Sequence, residues 1–316
     1  MPKDLESLSE SRNLREHLIT YWGRVPSSVW KVDWTVKSID LSRSYNDQRK
    51  ETGNGVFSLS GTGARHGALS RFPQDLCQFL IKFFTKELEQ VIDPFAGHNS
   101  RFESCFRCNR HYTGFDISNN FMQLNNQVKE QLLEENKHSM FQREATITLH
   151  HTDSRRIPDF IQPETFDFCI TSPPFYDIED YGDEPGQLGK SQTYQQFIQT
   201  LGRVALHCYN ALKPNKYIAW EVNDFRRNGV FCVYHYDTIS IFRQAGFTIH
   251  DVIIVDYGNA FLKSFLTDVE HNKIMPKQHS YIIVGHKPNA PIKNEISAEQ
   301  ENNRAETRQR LLNELT

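Results

Sequence analysis

The sequence contains an uncommon group of side chains at Ser172, Pro173, Pro174 and Phe175. Neither proline has a backbone N–H, and both have a fixed φ, so the carbonyl groups before and within the pair can face a ligand without a competing donor. The Ser172 hydroxyl adds an acceptor, and the Phe175 ring can stack on a planar group. Since a near-continuous apolar stretch precedes these residues, we favour a binding site for an amino-bearing ring over a plain proline-rich loop.

A second group of candidates is the segment D-P-F-A-G, which comprises Asp93, Pro94, Phe95 and Gly97. An acidic residue at the end of a strand can bind an ammonium group. Gly97 permits a tight turn and the close approach of a ligand. The alternative for this segment is an ordinary strand-to-helix turn without a ligand.

Two further acidic residues, Asp116 and Asp153, follow apolar stretches in the same way. Asp116 lies 23 positions after Asp93, and an acid at about this spacing commonly accepts both ribose hydroxyls of a nucleotide-like cofactor. Asp153 could accept a hydrogen bond from an adenine amino group. Both residues could instead cap the helix or turn that follows.

Short apolar strands that alternate with helical segments must position these residues. This alternation predicts a parallel sheet with helices on both faces, whose ligands bind beyond the carboxyl ends of the strands. The last two strands have no helical stretch between them, so we expect the final strand to be antiparallel. The predicted strands are 91–93, 112–117, 146–151, 166–171, 216–222, 247–258 and 279–287. The predicted helices are 76–88, 102–109, 119–136, 194–212 and 233–246.

Taken together, the segments D-P-F-A-G, F-D-I-S, D-S-R and T-S-P-P-F-Y resemble the amino-methylating DNA methyltransferases of the N4-cytosine/N6-adenine type. The resemblance covers about residues 66–286. It implies an α/β fold with a seven-stranded Rossmann-like methyltransferase sheet, S-adenosyl-L-methionine as cofactor, and a target base flipped out of DNA.

The resemblance also implies a role for each matching residue. The cofactor-binding positions are Phe72, Pro73, Asp93, Pro94, Phe95, Gly97, Asp116, Ile117 and Asp153, and the catalytic loop is Ser172, Pro173, Pro174 and Phe175. Phe72 and Pro73 are expected near the methionine end of the cofactor. The chain departs from the family pattern G-x-G-T, because Asn99 replaces the second glycine.

The serine before the two prolines favours cytosine-N4 over adenine-N6 as the target. Cys169 lies inside a strand and the chain has no Pro-Cys pair, which argues against attack at carbon 6 and 5-methylcytosine chemistry. RNA as the substrate and an inactive methyltransferase fold serving as a binding subunit remain alternatives. A dinucleotide dehydrogenase is less favoured, because its glycine fingerprint is missing.

The composition is that of a soluble globular protein, with 316 residues, 38% hydrophobic and 24% charged residues, and a net charge of −3. No apolar run is long enough to span a bilayer, and the first residues are unlike a secretory signal, so we expect a cytoplasmic location. DNA is the expected partner, with a cognate restriction endonuclease as a second. We expect no metal site, since Cys105 and Cys108 lie one helical turn apart and are expected to pack.

Three segments are expected along the chain. Residues 1–70 form an irregular extension, in which Trp22, Trp30 and Trp34 could pack on the sheet and residues 42–67 could close over the site. Residues 71–288 form the methyltransferase domain, in which the insertion 258–279 is either a DNA contact or a solvated loop. Residues 289–316 form a charged tail.

Overall fold

The computed structural model describes residues 27–33, 35–39, 72–178, 182–258, 270–275 and 277–289. Some predictions fall outside these ranges and are not tested by the fold. They concern Trp22 and Trp34, the lid segment 42–67, most of the insertion 258–279 and nearly all of the tail.

An eight-stranded sheet forms the centre of the described structure. Its strands are β1 (Val29–Lys31), β2 (Gln90–Asp93), β3 (His111–Asp116), β4 (Ile147–His151), β5 (Phe166–Thr171), β6 (Leu212–Val222), β9 (Thr248–Asp256) and β10 (His279–His286), while β7 (Phe225–Arg227) and β8 (Val230–Cys232) form a separate hairpin. The order across the sheet is β1-β9-β10-β6-β5-β2-β3-β4. The five adjacent strands β6, β5, β2, β3 and β4 are parallel to one another, and β1 is parallel to β9. Strand β10 is antiparallel to both of its neighbours, β9 and β6.

Helices cover both faces of this sheet, and a separate apolar core lies on each face. The described helices are α1 (Gln74–Phe84), α2 (Ser100–Arg107), α3 (Asn119–Lys137), α4 (Ile157–Phe160), α5 (Tyr194–Ala211) and α6 (Tyr234–Ala245). The first three pack into one core and the last three into the other. Strand β5 is buried on both faces, because Phe168 and Ile170 point into the first core while Cys169 points into the second.

The predicted fold class is confirmed by this arrangement. Seven strands form the methyltransferase sheet, and the last strand, β10, is antiparallel to both of its neighbours as predicted. Helix α6 ends at Ala245 and is capped by Gly246, whose φ of 105° lies in the left-handed region. Among the described helices, none has both the length and the apolar character needed to cross a bilayer.

The N-terminal extension contributes an eighth strand, β1, which the sequence did not reveal. Trp30 is buried at the sheet edge, where its ring lies 4.5 Å from that of Phe79 and its Nε1 donates to Asp75 Oδ2 at 2.9 Å. The edge of β9 is thereby paired through Ile254, whose N–H donates to the carbonyl of Ser28 at 2.8 Å. Trp30 therefore packs on the sheet as expected.

The β7–β8 hairpin stands apart from the main sheet. It comes directly after β6 and before α6 in the chain. Asn228 and Gly229 form its two-residue turn with φ of 50° and 80°, which is the type I′ geometry that an Asn-Gly pair favours. The hairpin lies at the same sheet edge as the carboxyl end of β6.

Candidate active site

A cleft opens at the carboxyl edge of the sheet, between the ends of β2, β3, β4 and β5. The space within its walls, which is open to solvent at the mouth, is about 790 Å³. The parallel register places the ends of these strands side by side, with Asp93 opposite Gly114 and Asp116 opposite His151. Residues that are far apart in the sequence therefore meet in one cleft.

Most of the predicted site residues line this cleft. They are Phe72, Phe95, Gly97, Asp116, Ile117, Asp153, Ser172, Pro173, Pro174 and Phe175. Three predicted cofactor residues do not line it. Pro73 caps the start of α1, the carbonyl of Pro94 accepts a hydrogen bond from the Ser154 hydroxyl, and Asp93 lies below the floor of the cleft.

The side chain of Asp93 is fully buried and its oxygens already have protein donors. Oδ2 accepts from Arg101 Nε at 2.6 Å and from the Tyr112 hydroxyl at 2.8 Å. Oδ1 accepts from the Thr171 hydroxyl at 2.6 Å and from the N–H of Phe95 at 3.1 Å. Asp93 thus links β2 with β3, β5 and α2, rather than presenting a carboxylate to the cleft.

Two polar residues at the start of α2 line the cleft and were not identified from the sequence. Arg101 is buried and donates through Nη2 to the carbonyls of Phe95 and Ala96 at 2.5 and 3.0 Å. Ser100 is also buried, and its hydroxyl has no hydrogen-bond partner among the described residues. The sequence shows Arg101 eight positions after Asp93, but no common motif links these two residues and so the pair was not predicted.

Asp116 lies at the end of β3 and its carboxylate is part of the cleft wall. Oδ2 accepts from the N–H of Gly97 at 2.7 Å, and Oδ1 accepts from the N–H of Ser118 at 2.8 Å. Burial raises the pKa of Asp116 to about 6, although these two N–H donors act in the opposite direction. Each oxygen retains a lone pair that a ligand hydroxyl can use.

Asp153 acts as a cap and also lines the cleft. Its side chain accepts from the N–H of Arg155 at 2.8 Å, which starts the 3₁₀ turn Ser154–Arg156, and it forms an ion pair with the Arg155 guanidinium. Gly186 closes this side of the cleft with a φ of 100°. A Cβ on Gly186 would lie 2.9 Å from Asp153 Oδ2, so a larger residue there would collide with the wall.

The catalytic-loop candidates follow β5 and are held from the side of β6 and α6. The Ser172 hydroxyl lies 3.4 Å from the carbonyl of Glu221, and the Tyr234 hydroxyl donates to the carbonyl of Pro174 at 3.3 Å. The Phe175 ring meets the Tyr234 ring edge-on at 6.4 Å. Within the described ranges, no hydrogen bond engages the carbonyls of Ser172 and Pro173, so both can accept from a ligand.

The missing second glycine of the cofactor loop has a structural explanation. Asn99 has φ −58° and ψ −14°, an ordinary helical conformation that does not require glycine. Its amide donates to the carbonyl of Ile39 at 3.1 Å and to Glu103 Oε2 at 2.8 Å, while the N–H of Ile39 donates to the same oxygen at 2.9 Å. The asparagine therefore fixes the extension beside the cofactor loop.

The family model for DNA methylases matches residues 3–127 and 166–314, which is most of the chain. The protein therefore belongs to the DNA methylase family. No curated protein sequence matches it. The matched regions contain both the D-P-F-A-G segment and the S-P-P-F loop, and thus both ends of the cleft.

Solved structures of methyltransferases are also similar. One is a protein of Thermus thermophilus assigned as a DNA modification methylase and complexed with S-adenosyl-L-methionine, at 26% identity and a TM-score of 0.34; the match covers 45% of this chain and 55% of that one. Two more come from Bacillus halodurans (13% identity, TM-score 0.46, coverage 67% of this chain and 99% of that one) and Methanosarcina mazei (12% identity, TM-score 0.43, coverage 70% and 99%). The chain thus spans only about half of the Thermus protein.

Proposed function

We propose that this protein transfers the methyl group of S-adenosyl-L-methionine to the exocyclic amino group of a flipped base in DNA, with cytosine-N4 as the favoured target. One observation supports this most directly. A single cleft contains an acid suited to a ribose, Asp116, and a loop in which the carbonyls of Ser172 and Pro173 accept no hydrogen bond from the described residues. A donor bound at one end would therefore face a base bound at the other.

The residues of the cleft fit the cofactor. Asp116 can accept both ribose hydroxyls, since each carboxylate oxygen uses one lone pair on a backbone N–H. The start of α2 offers backbone N–H groups and the unpartnered Ser100 hydroxyl to a carboxylate, so it would bind the methionine end. Phe72 and Phe95 supply apolar walls between these ends. When bound, the cofactor supplies a methyl group on a positively charged sulfur.

The loop residues would prepare the base nitrogen for attack. The lone pair of a base amino group is delocalised into the ring, which makes the nitrogen a poor nucleophile. Acceptors at the carbonyls of Ser172 and Pro173 would hold the two amino protons and stabilise positive charge as it develops on nitrogen. Phe175 would stack on the ring. Positioning of the two reactants would supply much of the remaining rate enhancement.

A covalent mechanism at carbon 6 of a pyrimidine finds no nucleophile in the described part of the cleft. The Cys169 thiol is fully buried inside β5, and burial raises its pKa well above the usual value. Ser172 occupies the loop position next to the prolines. These features support transfer to an amino nitrogen, and the serine favours N4 of cytosine over N6 of adenine.

Analysis of modified nucleosides tests the proposal. Purified protein, cofactor and duplex DNA should yield N4-methylcytosine, while Pro173→Ala and Phe175→Ala proteins that still bind cofactor should yield far less. N6-methyladenine alone would contradict the cytosine assignment but support the amino-methylating class. Structured RNA assayed in parallel would reveal a different substrate if it alone became methylated.

A further inference from the structure

The hairpin β7–β8 has no role in the cleft described above, yet it contains a basic and aromatic surface. Its two faces differ, because side chains of directly paired residues lie on the same face. One face has Phe225 and Cys232, and the opposite face has Arg226 and Phe231. Phe225 packs into the core below, and its ring lies 6.0 Å from Tyr194 and 6.1 Å from Tyr234.

The outer face combines an exposed ring with two cations. The Phe231 side chain is 40% exposed. The Arg226 guanidinium lies 5.2 Å from the centre of the Phe231 ring, and Lys277 Nζ lies 4.4 Å from it. An aromatic ring between two cations suits a ligand that is both planar and anionic, because the ring can stack and the cations attract negative charge.

The charges on this surface are only partly compensated. Lys277 lies 3.6 Å from the buried carboxylate of Asp224, which balances its charge. Arg226 is exposed and donates to the carbonyl of Gly229 at 3.3 Å, and no carboxylate of the described ranges lies within ion-pair distance of it. A positive charge on the outer face of the hairpin is therefore available to a phosphate.

The hairpin is connected directly to the catalytic loop. Arg227 Nη2 lies 2.5 Å from Asp177 Oδ2, and Asp177 is two positions after Phe175. Tyr234 contacts both elements, since its ring packs against Phe225 and its hydroxyl donates to Pro174. An isolated two-stranded hairpin is only marginally stable, so these contacts fix it beside the mouth of the cleft.

We propose that the β7–β8 hairpin binds the DNA strand that contains the target base, with Phe231 stacked on a neighbouring unstacked nucleotide and Arg226 on a phosphate. The inference rests on the proposed function, because a base flipped into the cleft leaves its neighbours partly unstacked and draws their backbone across this edge of the sheet. Stacking on a ring tolerates any base, so the hairpin contributes affinity without reading the sequence.

Equilibrium DNA binding by fluorescence anisotropy, measured from low to moderate salt, tests this contact. Phe231→Ala should raise the Kd about tenfold at every salt concentration, the loss expected for one stacked base. Arg226→Gln should weaken binding and also lower the slope of log K against log salt by about 0.9, since one phosphate contact is lost. Both variants should bind S-adenosyl-L-methionine as the wild type does, which shows that the cleft has folded.

Matched controls lie at the opposite edge of the sheet. Phe83 is 42% exposed on α1, and Lys86 is exposed just before β2. Phe83→Ala and Lys86→Gln should leave the Kd and the salt slope unchanged. Hairpin variants that bind DNA like these controls would overturn the inference while wild-type methylation of DNA still stands. Wild-type protein that binds cofactor but neither binds nor methylates DNA would instead refute the proposed function.

Discussion

The affinity for S-adenosyl-L-methionine should depend on pH through Asp116. Its pKa is raised to about 6 in the free protein because the carboxylate is buried. Two ribose hydroxyls can both donate to Asp116 only when its carboxylate is ionised. Cofactor binding therefore favours the carboxylate and lowers this pKa. The affinity for the cofactor is therefore nearly complete well above pH 6 and is lost as the pH falls through that value.

The size of the effect follows from the fraction of Asp116 that is ionised. With a pKa of about 6, this carboxyl group is ionised in roughly nine molecules of ten at pH 7 and in one of eleven at pH 5. The Kd should therefore rise about tenfold between pH 7 and pH 5. The amino group of the cofactor stays largely protonated throughout this range, so it contributes little to the change.

Isothermal titration calorimetry measures both consequences. The Kd gives the affinity, and titrations at pH 6 in buffers of different ionisation enthalpy give up to about half a proton released per cofactor bound. Asp116→Asn should bind weakly and without this pH dependence. His98 is a second ionisable residue that lines the cleft, so His98→Gln, which should retain the pH dependence, is the control. A Kd that stays constant from pH 7 to pH 5 would refute the reasoning.

Three further substitutions test the contacts of the site. Arg101→Met should lower the free energy of unfolding by about 3–5 kcal/mol in chemical denaturation, because it leaves the buried Asp93 carboxylate unpaired; a loss below about 1 kcal/mol would contradict this. Gly186→Ala should weaken cofactor binding several-fold in calorimetry, because a Cβ would crowd Asp153 at a φ of 100°; unchanged affinity would show that the wall yields. Asn99→Gly should lower the stability by about 1–2 kcal/mol, as the amide bonds to the extension are lost, and an unchanged melting temperature would count against it.

The sheet could be predicted because its signals are local. Each central strand is a short apolar run followed by a helix, and residues at the strand ends share one edge in any parallel sheet. The cleft residues from Asp116 to Phe175 were therefore placed together by topology alone. No helical pattern separates the last two predicted strands in the sequence, and this was sufficient to predict that β10 is antiparallel.

Other features depend on contacts that no local pattern shows. Strand β1 has only three residues, and it forms because Trp30 finds a buried place beside Phe79 and Asp75. From its strand-end position Asp93 was expected to bind the cofactor, but its buried carboxylate is paired with Arg101 of the next helix. Tertiary pairing of this kind leaves no periodic trace in the sequence.

The buried carboxylate of Asp93 connects the two ends of the cleft. It accepts from Thr171, directly before the catalytic loop, from Tyr112 in the strand that ends at Asp116, and from Arg101 at the start of α2. Methyl transfer requires the donor and the acceptor to be held at a fixed separation, and a misplacement of about 1 Å can cost 10²-fold in rate. A charge buried beneath the cleft is useful for this reason, because moving either end would break a charge-assisted hydrogen bond in a dry interior. One buried carboxylate thus joins the segments that form both ends of the cleft.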